Sequence, residues 1–105
     1  MLGTNTLAAD HDVHAVEVSF SEDAMGVALD DGRTVSVPIT WYPRLLAGTP
    51  EERMRFELIG DVEGIHWPDL DEDISVEGIL AGRRSAESDA SLARWMASRK
   101  RTSNQ

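Results

Sequence analysis

Residues 16–39 read VEVSFSEDAMGVALDDGRTVSVPI, and their apolar side chains fall at every second position. Val16, Val18 and Phe20, then Met25, Val27 and Leu29, then Val35, Val37 and Ile39 each mark one face of a strand. That alternation is the signature of half-buried antiparallel strands, and three of them in succession make a meander. Paired residues must point to the same face, so the apolar positions also fix register. A loop of Ser21 to Ala24 sets Phe20 opposite Met25, Val18 opposite Val27 and Val16 opposite Leu29. For the second hairpin, a two-residue Asp31-Gly32 turn would set Leu29 against Thr34 and Val27 against Ser36, apolar against polar. A three-residue loop, Asp30-Asp31-Gly32, matches Val27 with Val35 and Met25 with Val37 instead. Such a loop is a type I turn closed by a left-handed bulge residue, so Gly32 is expected at positive φ.

Pro38 ends the third strand and Thr40-Trp41-Tyr42-Pro43 turns the chain. Pro43 then opens a single helical turn carrying Leu45 and Leu46, which Gly48 stops. Thr49-Pro50-Glu51-Glu52 is a capping box with proline at the first helical position. It predicts a helix to about Ile59, closed by Gly60, with Met54 and Leu58 covering the meander and Arg53 and Arg55 in water. Pro68 holds Trp67 extended, so Ile65 to Trp67 reads as a short fourth strand that runs into an acidic turn, Asp69 to Asp73. Ser75 caps a brief helix bearing Val76, Ile79 and Leu80, stopped by Gly82. After a hinge at Arg83 to Ala86, a helical pattern from about Ser88 aligns Leu92, Trp95 and Met96, with Arg94, Arg99 and Lys100 beyond it. The expected fold is α+β: a three-stranded antiparallel meander plus a short fourth strand, packed by short helices, with a C-terminal helix. Residues 1–12 are expected as a flexible arm, 13–82 as the α+β domain and 83–105 as a basic helical tail.

A chain of 105 residues is one domain with room for a modest core. It has no cysteine, hence neither disulfides nor a thiolate zinc site, which fits a reducing cytoplasm. No apolar run approaches the roughly 18 to 20 residues that span a bilayer, and Met1 to Ala9 lacks the basic start of a signal peptide. Cytoplasmic localisation without membrane contact is the expectation. The net charge of −9 conceals an asymmetry: residues 1–82 hold 17 Asp/Glu against 4 Lys/Arg, a balance of −13, and residues 83–105 hold 2 against 6, a balance of +4. An acidic body repels phosphates, so nucleic acid is disfavoured there and would contact the tail only weakly. The same surface favours a basic protein.

Asp69, Asp71 and Asp73 are spaced like the opening of a calcium loop, but Ile74 stands where that loop needs glycine and Leu80 where it needs a bidentate Glu. His11 and His14, beside Asp10 and Asp12, lack a further fixed metal ligand. No serine sits in a nucleophile elbow and no glycine-rich phosphate loop exists. Catalytic residues, metal and cofactor are therefore expected to be absent. The expected partner-binding residues are Trp41, Tyr42, His66, Trp67, Asp69, Asp71, Glu72, Asp73 and Trp95. Aromatic rings on proline-stiffened segments, rimmed by carboxylates, make a hot spot for a basic protein, while a second copy of the chain is another support for the tail helix. The alternative is a small ligand-binding domain or enzyme with a pocket near His66 and Trp67.

Three strings carry a resemblance: Asp31-Gly32 after two strands, Ile39-Thr40-Trp41-Tyr42-Pro43-Arg44-Leu45, and Gly64-Ile65-His66-Trp67-Pro68-Asp69-Leu70-Asp71-Glu72-Asp73-Ile74 followed by Leu80 and Gly82. From Val16 to Gly82 the chain resembles the bacterial family catalogued as domain of unknown function 2442. The resemblance implies a small α+β domain, sometimes followed by a helix-turn-helix DNA-binding region. It also implies an antitoxin role, because members are often found beside small toxins, and it implies no catalytic residues. The roughly 23 residues after Gly82 suffice for one helix, not for a helix-turn-helix.

Overall fold

The computed structural model describes residues 13–60 and 63–103. The N-terminal arm with His11, Asp10 and Asp12, and the last two residues of the tail, lie outside the described residues. Strands β1 (Ala15–Phe20), β2 (Ala24–Leu29) and β3 (Thr34–Pro38) form an antiparallel sheet in the order β1-β2-β3. Phe20 faces Met25, Val18 faces Val27, Val27 faces Val35 and Met25 faces Val37. At the second hairpin the Leu29 N–H donates to Arg33 O at 2.8 Å and Gly32 sits at φ 98°, the bulged three-residue loop that the apolar matching requires. The expected pairing of Val16 with Leu29 is corrected: Ala15 faces Leu29, and β1 bulges between Ala15 and Glu17. The Asp30 N–H reaches back to His14 O at 2.9 Å and the His14 N–H to Asp30 Oδ1 at 3.1 Å. These bonds pull the chain before β1 into the ladder one residue out of step, so Ala15 is buried and Val16 is 52% exposed.

A 3₁₀ turn, Ile39–Trp41, leads into helix α1 (Pro43–Ala47), and the capping box opens α2 (Pro50–Met54). Thr49 Oγ1 accepts from the Glu52 N–H at 3.1 Å, and Glu52 Oε1 accepts from the Thr49 N–H at 2.9 Å. The helix does not continue to Ile59. It ends at Met54, and Glu57–Ile59 is a strand, β4. A run as short as Arg55 to Ile59 fits either period. The strand prevails because it gives β5 (Gly64–Trp67) a partner, with Glu57 opposite His66, Leu58 opposite Ile65 and Ile59 opposite Gly64. Met54 and Leu58, expected as a buried stripe, are 56% and 44% exposed. Arg53, expected in water, donates to Leu45 O at 2.7 Å and Leu46 O at 3.1 Å, closing the carbonyl end of α1.

The strand expected over Ile65 to Trp67 is thus β5, the centre of a second antiparallel sheet in the order β4-β5-β6, with β6 spanning Glu72–Ser75. The acidic turn is correspondingly shorter than Asp69 to Asp73: the chain turns at Pro68 to Asp71, where Asp71 has φ 52°, and Glu72 and Asp73 lie on the strand. Helix α3 (Val76–Leu80) follows at once, capped by Ser75 Oγ, which accepts from the Gly78 N–H at 2.9 Å.

Trp67 joins the two sheets. Its side chain is 0% exposed, its ring meets Phe20 of β1 edge-on at 6.5 Å and Phe56 at 6.4 Å, and its Nε1–H donates to Arg53 O at 2.9 Å. Around it pack Met25, Val27, Ile39, Leu45, Ile65 and Leu70. Gly48 admits Leu70: a Cβ there would lie 2.9 Å from both Leu70 methyl carbons. The C-terminal helix α4 (Asp89–Ser103) lies outside this core and touches it through a half-buried Trp95.

Candidate functional site

The residues singled out by sequence fall on two levels. Trp67 and Tyr42 belong to the core, at 0% and 4% exposed. Trp41, His66, Glu72 and Trp95 are half-buried, and Asp69, Asp71 and Asp73 are exposed. Tyr42 sits where the 3₁₀ turn meets α1, and its hydroxyl donates to Arg83 O at 3.2 Å. The Ser85 N–H donates to Trp41 O at 3.0 Å, and the Arg84 guanidinium stands 4.9 Å above the Trp41 ring. The Trp41-Tyr42 pair thereby staples residues 83–85, read from sequence as a hinge, along the body.

On the outer face of the second sheet, His66 lies directly between Glu57 of β4 and Asp73 of β6. Its Nδ1 is 2.5 Å from Asp73 Oδ1. The bond to Asp73 raises the imidazole pKa above the usual histidine value, and the charges of Asp73, Glu57 and Asp71 add to it. The remaining acids of the hairpin are tied to arginines. Arg55 donates to Asp69 at 2.6 Å, and Arg44 reaches Asp71 O at 2.9 Å and its carboxylate at 3.4 Å. Glu72 differs: it has no ion-pair partner among the described residues, and burial raises its pKa despite the nearby charge of Arg44 and the Asp73 N–H.

Sequence reasoning missed Arg44, Glu52, Glu87 and Arg99, which hold the tail to the body. Arg44 forms a bidentate pair with Glu87 at 2.6 and 2.7 Å, and its guanidinium lies 5.0 Å from the Trp95 ring. Arg99 lies 4.8 Å from the same ring and donates to Glu52 at 2.8 Å and to Asp69 O at 3.2 Å. The partners hold Glu87 and Glu52 below the usual carboxylate range, Arg44 acting on the first and Arg99 on the second. Separations of 43 and 47 residues leave no local pattern to read.

Two clefts meet at β6. One, of about 300 Å³, runs between β6 and residues 83–86 and is lined by Tyr42, Glu72, Asp73, Ser75, Gly78 and Arg84 among others. The second, of about 340 Å³, opens on the outer face above Gly64, between Ile59 and Ser75. Neither is lined by His66 or Trp67, the pair on which the alternative reading rests. Among the described residues no three His, Cys, Asp or Glu side chains are grouped to hold a metal ion.

These features define a small α+β domain of two three-stranded sheets with an acidic hairpin at its surface. The chain belongs to the family described as protein of unknown function (DUF2442), whose sequence model matches residues 15–85. It is similar in structure to a protein of unknown function from Rhodospirillum rubrum, with 24% identity over 76% of this chain and 96% of that one, at a TM-score of 0.60. It is also similar to an uncharacterized protein from Chromobacterium violaceum, with 22% identity over 93% and 87% of the two chains, at a TM-score of 0.62. At these identities the likeness concerns the fold. No functionally curated protein matches the chain. Among the described residues, no helix is long and apolar enough to cross a membrane.

Proposed function

We propose that this chain is a small, non-catalytic, cytoplasmic protein-binding module whose acidic body masks a basic protein, as an antitoxin masks its toxin. The observation that carries the reading is the internal use of the body's cations. Arg33 pairs with Asp31, Arg44 with Glu87, Arg55 with Asp69, and Arg53 closes the end of α1. Glu17, Glu22, Glu51, Glu57 and Glu77 are exposed and have no ion-pair partner among the described residues. A surface of this kind steers a positively charged partner and repels nucleic acid. Half-buried Trp41 and Trp95 supply the aromatic anchors that such contacts concentrate on.

Co-expression with the product of the adjacent gene, followed by pull-down at low and at high salt, tests this. A complex that forms in low salt, weakens in high salt and relieves the neighbour's toxicity supports it. Absence of any complex with a neighbour, together with no relief of toxicity, overturns it.

A further inference from the structure

The partner-binding reading leaves open which part of the surface makes the specific contact, and the second sheet has one edge suited to it. The Val76 N–H donates to Glu63 O at 2.8 Å, with Gly64 facing Ser75 and Ile65 facing Ile74. Hydrogen bonding alternates along an antiparallel ladder, so Glu72 and Ile74 bond to β5 while the backbone groups of Asp73 and Ser75 point away from it. The other free edges are blunted, as exposed edges commonly are: β1 is bulged, β3 ends on Pro38, and β4 is only three residues long. Beside the edge of β6 lies the cleft of about 300 Å³.

We propose that the outer edge of β6 and this cleft receive an extended, basic segment of the partner protein, strand against strand, with one Lys or Arg side chain entering beside Glu72. The proposal rests on the partner-binding reading and names the contact within it. Strand addition supplies affinity through backbone bonds and specificity through pockets for alternate side chains. The backbone of Asp73 and the N–H of Ser75 provide the first, the Ser75 carbonyl being taken by the opening turn of α3. Glu72 provides the second, as a half-buried carboxylate lining the cleft without an ion pair. Two cations line the rim, Arg83 and Arg84; Arg84 is held over the Trp41 ring, and the Tyr42 hydroxyl fixes the backbone of the opposite wall by its bond to Arg83 O.

Burial raises the Glu72 pKa, so ionised Glu72 opposes folding above its folded pKa, and the opposition vanishes below the ordinary value of 4.5. Glu72→Gln therefore melts no lower than the parent at neutral pH, and a loss of binding in that variant is not a loss of fold. The test titrates the ¹⁵N-labelled full chain with a capped pentapeptide of alternating valine and lysine. Amide shifts confined to Asp73–Ser75 and Arg83–Ala86 are expected, with affinity at least about tenfold lower in Glu72→Gln and a similar loss on N-methylating the peptide backbone. Shifts spread over Glu17, Glu22 and Glu51, or equal affinity in Glu72→Gln, overturn the proposal. If the natural partner co-purifies equally with the parent and with Glu72→Gln, the edge proposal fails while the partner-binding reading stands. A chain that binds neither partner nor peptide overturns both.

Discussion

The body and the tail helix are held by different forces. Trp67, Leu70 and Met25 are each 0% exposed in a shared core, where attachment depends on apolar burial and close packing. On α4, Leu92 and Trp95 are only half-buried and Met96 is 48% exposed, so α4 depends on arginines: Arg44 to Glu87, and Arg99 to Glu52. A helix of 15 residues is marginal by itself, and of its two ion pairs the more exposed one, Arg99 to Glu52 with side chains 28% and 17% exposed, gives a hold that salt can loosen more readily than the Arg44–Glu87 pair at 16% and 8%. The body is expected to fold as a unit, with the tail as a detachable element on it.

Trp67→Ala attacks the body where both sheets meet. Removing a buried aromatic costs about 3 to 5 kcal/mol, comparable to the low end of the roughly 5 to 15 kcal/mol that stabilises a domain, so the variant is expected to be largely unfolded in thermal melts. A chain ending at Ser88 should, by contrast, keep a cooperative melt. Insolubility of that truncated chain would erase the distinction and make α4 part of the core.

Gly48→Ala tests packing without touching charge. The new methyl would lie 2.9 Å from the Leu70 side chain, and overpacking of this kind costs about 1 to 3 kcal/mol. Its urea midpoint should fall while α4 remains attached. Arg44→Met makes the converse cut. Stranding Glu87 beside an uncharged partner would cost about 3 to 5 kcal/mol in a fully buried pair, a cost the chain avoids by releasing α4. Trp95 fluorescence should shift to the red and amide exchange in α4 should accelerate, with the melt of the body little changed. Raising salt to about 1 M, where the Debye length falls to about 3 Å, should accelerate α4 exchange in the parent as well.

The smallest effect is expected at His66. Its folded pKa is raised above the ordinary 6.5, first by the bond to Asp73. Its contribution is therefore complete below about pH 6.5 and is lost as pH rises through the folded value. Parent and His66→Gln should differ most in melting temperature at mildly acidic pH and converge at alkaline pH, and a constant gap across that range would remove the ion-pair account.

How much could be read from sequence follows the same division. Period-two alternation and the need to match apolar faces were enough for β1 to β3, their register from Val18 onward and the turn at Gly32, because those choices depend on neighbours a few residues away. Caps at Thr49 and Ser75 were legible for the same reason. The strand at Glu57–Ile59 was not, since the short run from Arg55 to Ile59 fits two periods and only pairing with β5 chooses between them. Of the expected contact residues, Tyr42, Glu72 and Asp73 line one cleft, but the Arg84 stacked on Trp41 and the open edge of β6 were not visible in their spacing. Local sequence by itself determined the first sheet, the helix starts and the charge split between body and tail. Only the tertiary structure decided that a second sheet forms, that Trp67 bridges the two, and that Arg44 and Arg99 fasten the tail, because each depends on groups brought together from distant parts of the chain.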